Sequence, residues 1–361
     1  MLGDMNKMYT VQFLNAMVGR LVTSRRTALK TITGSLLGAG TFSSVGSAAS
    51  GRLDRVQVSY GSLTSPITAS ERATLTSQAK EAFKQDVGQY PEAAGSVADA
   101  PKPNCVGYAV GFDNRGTPTY MSVRAADQES VSDRHAELEG RVEHLRAGIS
   151  SSTISQTYPS PQASQNWDPA TTIYASAGAQ NSAGTVDHEI EFFHLENDGV
   201  SDGETFATIQ RITSSPETYK HSSVNLEQDY SPATNSVGVQ SNALTDYATS
   251  STVSGSGTKS AEISARGTPK SFSWTHNDSK TSTESRTDSE DSDNLFAEFV
   301  LLPGDGNTKE NSAAASAVET DEPSEGVYDV VTASITGNFF FDISSETLTD
   351  SHTIDVDYGL L

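Results

Sequence analysis

The chain has 361 residues with 24 Lys and Arg against 46 Asp and Glu, a formal net charge of −22, and one cysteine. No basic stripe exists to displace counterions from phosphates, so electrostatically driven nucleic-acid binding is excluded, and the same charge opposes an anionic membrane surface. Cys105 alone forms no internal disulfide, so packing, salt or bound ions must hold the fold.

The first distinctive stretch is "SRRTALKTITGSLLGAGTFSSVGSAASG", Ser24 to Gly51. A membrane-spanning helix needs about 20 consecutive apolar residues, and the Ser, Thr and Gly content here rules that out. A basic start, a short mildly apolar segment and a small-residue exit near Ser47-Ala48-Ala49 define a processed signal instead. Ser24, Arg25, Arg26, Leu29 and Lys30 give this segment its character, and it resembles the twin-arginine export motif, with Ala28 where a bulkier residue is usual. The resemblance implies export of a folded protein, with residues 1–49 removed. The long lead before the motif points to Met17 as the translation start. Removal of 1–49 takes away five basic residues and one acidic residue, leaving 19 basic and 45 acidic, a net charge of −26. Eight lysines remain, and the balance is similar to that of secreted proteins of halophilic archaea.

Residues 50–150 read as a small α+β unit. Thr68 and Glu71 stand at capping-box spacing before a stripe of Ala69, Ala73, Ala79, Phe83 and Val87, which predicts a helix from Thr68 to Tyr90. Two apolar runs around Asp113-Asn114-Arg115-Gly116 predict a hairpin. Val131, Leu138, Val142, Leu145 and Ile149 then predict a second helix ending near Gly148.

Residues 151–170, rich in Ser, Pro and Gln, read as a linker. From 171 to 361 the helical signal fades, and short apolar runs separated by Gly, Asn, Asp and Ser predict an antiparallel, sandwich-like β domain. The fold class expected is therefore mainly β, with low-complexity exposed loops at about 245–292. Asn277-Asp278-Ser279 within them is a glycosylation sequon. The same Ser/Thr-rich region could alternatively rearrange into a transmembrane hairpin, as in some pore-forming toxins.

Chemistry-bearing residues are few. Gly199-Val200-Ser201-Asp202-Gly203 matches a nucleophile elbow, which makes Ser201 the weak candidate for a hydrolase, with His276 or His352 as base. The β-branched run after it predicts a strand instead of the required helix, and Asn197-Asp198-Gly199 is itself a turn signal. His188, Glu189, Glu191 and His194 are metal-ligand types, but six residues along a strand put the two histidines about 20 Å apart. His135 and His144 point to opposite sides of their helix. Asp198, Asp202 and Glu204, and Asp288, Glu290, Asp291 and Asp293, make oxygen-rich loops that suit calcium without EF-hand order. No other cofactor is expected.

The expected function is a secreted, salt-adapted, non-catalytic binding or cell-surface-associated protein, its partner an extracellular or cell-envelope component. It would carry neither a transmembrane nor a lipid anchor. A halocin-like antimicrobial or pore-forming toxin is the alternative, and a hydrolase using Ser201 the second. Fold alone does not choose among them.

Overall fold

The computed structural model describes residues 54–91, 95–97, 103–150, 167–179, 183–195, 203–230, 239–249, 257–264, 271–278, 296–301, 309–321 and 326–358. For 239–301 and for 150, 203, 310, 312 and 321 it describes backbone only. The export segment with Ser24, Arg25, Arg26, Leu29 and Lys30 lies outside these residues, as do Asp198, Ser201, Asp202, Asp288, Glu290, Asp291 and Asp293. The described residues fall within one compact unit, Ser43–Leu361.

The chain begins with β1 (Val56–Tyr60), α1 (Ala69–Val87), β2 (Gly95–Val97), β3 (Cys105–Phe112), β4 (Pro118–Arg124) and α2 (Val131–Ser150). Helix α1 starts where the sequence says it should. The Thr68 side chain accepts from the Glu71 N–H at 3.2 Å, and the Glu71 carboxylate accepts from the Thr68 N–H at 2.7 Å. Gly88 ends it with φ of 91°, a conformation open to glycine because it has no Cβ.

Helices α1 and α2 cover opposite faces of β1, β3 and β4. Leu75, Ala79 and Phe83 of α1 pack on Tyr108, Val110 and Phe112, while Leu138 and Val142 of α2 pack on Ala109, Met121 and Val123. Close approach of α2 depends on Gly107, where an added Cβ would lie 2.6 Å from Val123 Cγ2 and 2.8 Å from Leu138 Cδ2.

After α2 come β5 (Trp167–Gly178), β6 (Gly184–Leu195), β7 (Gly203–Pro216), β8 (Lys220–Asp229), β9 (Val239–Thr249), β10 (Gly257–Ser264), β11 (Ser271–Asp278), β12 (Phe296–Leu301), β13 (Glu310–Asp321), β14 (Val327–Phe341) and β15 (Ser344–Asp357). The fold is mainly β. An eight-stranded sheet runs β1-β3-β4-β5-β6-β7-β13-β9, a five-stranded sheet runs β12-β8-β14-β15-β2, and β10 and β11 form a two-stranded sheet.

Three expectations about the organisation of the chain differ from the structure. Strand β5 pairs with β4 in parallel, with α2 as the crossover that such a pairing needs, so one sheet runs through both the 50–150 and the 171–361 segments. Trp167 and Ala170, assigned by composition to the linker, are buried parts of β5. Within the stretch expected as loops, 245–292, the end of β9 and all of β10 and β11 are strands. Composition reports solvation but not backbone pairing, which the Ser/Thr content of β10 and β11 leaves intact.

The two large sheets share a core, because their strands alternate. On β14, Val331, Ala333, Ile335 and Phe339 are buried, while Thr332, Ser334, Thr336 and Asn338 face away. They meet Ile190, Phe192, Phe206, Ile212 and Val318 from the eight-stranded sheet. Each Val, Ile or Phe side chain among them contributes about 1.5–3 kcal/mol by burial. On the far face of β14 and β15 the hydroxyl pairs Thr332–Thr353, Ser334–Ser351 and Thr336–Thr349 bond at 2.9, 2.9 and 3.1 Å. Among the described residues no helix is long and apolar enough to cross a membrane.

Candidate functional site

The alternation that builds the core also turns polar residues inward. On β6, His188 lies between Val186 and Ile190 on the buried face, and on β15, Asp350 and His352 precede Ile354 and Val356 on theirs. These three residues meet between the sheets, each no more than 4% exposed. A carboxylate so far from water requires partners. Asp350 Oδ2 lies 3.2 Å from His188 Nδ1 and 2.7 Å from His352 Nε2, and Arg124, at the end of β4, pairs with Oδ1 at 3.1 Å. Arg124 also donates to the Thr349 carbonyl at 2.7 Å.

Gln210 of β7 sets the proton positions. Its amide nitrogen donates to the Ser334 carbonyl at 3.1 Å and lies 3.2 Å from His188 Nε2. His188 Nε2 therefore accepts, and the ring proton sits on Nδ1, donated to Asp350. Gln210 Oε1 is buried with no hydrogen-bond partner. The three residues thus offer two imidazole nitrogens and one carboxylate oxygen, all within 4.8 Å of one another.

A second polar cluster occupies the other face of the eight-stranded sheet, beside α2. Ser176 Oγ of β5 lies 3.0 Å from a Glu137 oxygen and 2.8 Å from an Asp187 oxygen, and accepts from Arg134 at 2.9 Å. One hydroxyl has one hydrogen, so two ionised carboxylates cannot both be served. Burial, and then the nearby Glu137 charge, push the Asp187 carboxyl up. Burial also pushes on Glu137, but the Tyr174 hydroxyl, Arg134, Ser176 and Arg141 together hold it below the usual carboxylate range. Ser176 Oγ therefore faces the Glu137 and Asp187 carboxylates with a single hydrogen to share between them, and Arg134 supplies the positive charge beside it. Farther along β6, Arg211 pairs with Glu189 at 3.3 Å and Glu191 at 2.9 Å, and burial raises the Glu189 carboxyl.

The sequence candidates scatter. His188 joins the interior cluster, while His194 bonds Glu204 at 2.6 Å across β6 and β7. Glu204 is the one residue of the two calcium loops among the described residues. His135 contacts the Val106 carbonyl at 2.8 Å, and His144 is exposed. Ser201 lies outside the described residues, but its flanking strands β6 and β7 pair antiparallel from Gly184–Pro216 to His194–Phe206. Asn277 pairs with Thr258 on the β10–β11 ribbon, with His276 opposite Lys259, so Asn277 and Asp278 of the sequon are on a strand and not in the loop expected, while Ser279 lies outside the described residues. Cys105 is buried at the start of β3. Arg124, Glu137, Ser176, Asp187, Gln210 and Asp350 were not singled out by sequence. Only their inward register on a strand, or their stripe on α2, could have flagged them.

The β14–β15 turn carries a third feature. Its two-residue link, Asp342-Ile343, has Asp342 at φ of 53°, and around it Phe340, Phe341 and Ile343 are 40, 58 and 96% exposed. The Phe341 ring rests 5.8 Å from that of Tyr219. No family model matches the chain, and no curated protein matches it.

Proposed function

We propose that this chain is a secreted, salt-adapted, non-catalytic binding or cell-surface-associated protein. Its sandwich-like pair of sheets would serve as a rigid mount for the β14–β15 tip. The observation that carries the reading is the apolar tip itself. In a chain with a net charge of −22, Phe340 and Phe341 at the end of β14 and Ile343 in the two-residue turn beyond it are all exposed at one hairpin end. Leaving them in water forgoes about 25 cal/mol for each Å² of apolar surface, and clustered exposure of this kind marks contact sites. The partner class that fits is an extracellular or cell-envelope component with an apolar recess. A rigid hairpin loses little conformational freedom on entering one.

The test is retention on cells. Wild type and a Phe341→Ser/Ile343→Ser variant are added to washed envelopes at the salt of the native medium, and the bound fraction is measured. These exposed substitutions should leave the circular dichroism unchanged and lower the bound fraction at least tenfold. Equal retention of the two proteins would overturn the reading.

A further inference from the structure

We propose that His188, Asp350 and His352 form a binding site for one divalent transition-metal ion of the zinc class, held between the two sheets. Two imidazoles on different strands converge on a single carboxylate oxygen, Asp350 Oδ2, at 3.2 and 2.7 Å. The two ring protons that now bridge this oxygen occupy the place where an ion would sit. Two nitrogens and one oxygen suit zinc and its neighbours, whereas calcium and magnesium take sets built from oxygen.

The supporting contacts are those a metal centre needs. Arg124 binds the other carboxylate oxygen, Oδ1, and the Thr349 carbonyl, which fixes the carboxylate while leaving Oδ2 to the ion. Gln210 is the second, independent observation. It is fully buried, it touches the ring of His188, and its Oε1 has no hydrogen-bond partner. An ion on His188 Nδ1 moves that ring's proton to Nε2, which points at Gln210. Turning the Gln210 amide over then places the unpartnered oxygen on the new N–H, at the cost of the bond to Ser334. An orphaned buried acceptor is thereby put to use as the partner that orients a metal-bound imidazole. His352 makes the corresponding shift, its proton moving to Nδ1. The proposal does not depend on the partner of the β14–β15 tip.

The experiment is a titration of the full chain in molar KCl with Co²⁺, read by its visible absorption, followed by displacement with Zn²⁺. One equivalent of Co²⁺ should bind with the strong bands of a low-coordinate site and give way to Zn²⁺ but not to a hundredfold excess of Ca²⁺. His188→Gln and His352→Gln should each weaken binding at least tenfold. Absence of a stoichiometric site, displacement by Ca²⁺, or unchanged affinity in both variants overturns the proposal. Should either variant fail to fold, ¹⁵N imidazole spectra of wild type decide the matter. Zinc must shift ring nitrogens of two of the seven histidines, with the tautomer change at His188. Shifts at other histidines, or none, overturn it equally.

Discussion

Asp355 of β15 stands directly across from Asp329 of β14 in the antiparallel register. Burial, and then the hydrogen bond and charge of Asp329, push the Asp355 carboxyl from 3.8 to about 7. Between those values the folded chain holds a proton that the unfolded chain has released, so this residue's contribution to stability falls as pH rises from about 4 to 7. Asp355→Asn keeps the protonated shape without the charge. Chemical unfolding at several pH values should show the variant gaining on wild type through that window and holding a constant advantage above it. A difference independent of pH would mean that the pair does not titrate as described. His188 teaches the complementary lesson at this scale. Its ligand type was legible in the sequence, but along its own strand the only histidine near it was His194, which faces Glu204. Its actual partners, Asp350 and His352, lie on a strand of the other sheet. Side-chain period tells which way a residue points and nothing of what it meets across a core.

At the scale of elements, legibility followed local physics. Helix α1 was readable at its start because its cap acts within a few residues, whereas Gly88 ends it at Val87, short of the Tyr90 expected. Thr68→Ala should therefore cost about 0.5–2 kcal/mol, measurable as a lower unfolding midpoint with no change in the cooperativity of the transition. Gly would cost less at the same position. Strand β13 is the opposite case. "ENSAAASAVETD" is rich in alanine, the best helix former, yet it is a central strand between β7 and β9. Ala313, Ala315 and Ala317 on one face and Ala314 on the other are fully buried, and small side chains suit a strand crowded on both sides. Pairing with β7 overrides propensity there, and no window of the sequence contains that partner. The parallel β4–β5 pair was hidden for the same reason. The helix between them was predicted, but not that it returns the chain to the same sheet.

At the scale of the molecule, mainly β character was plain from the spacing of apolar runs and turn residues, while sheet membership was not. The order β12-β8-β14-β15-β2 places β15 inside the five-stranded sheet, with Ile354 opposite Val97. A chain stopped after Ile343 would lack β15, leave β2 and one edge of β14 unpaired, and remove Asp350 and His352 together. Such a chain should be cut by protease far faster than wild type under conditions in which the full chain resists. Equal resistance would show that β15 is dispensable.

The place of β15 also sets a clock. A growing chain can form the β6–β7 hairpin as soon as both strands emerge, but the short strand at 95–97 must wait for residues around 354 before it has a neighbour. The contacts that β15 makes therefore form last, and with them those of Asp350 and His352 with His188.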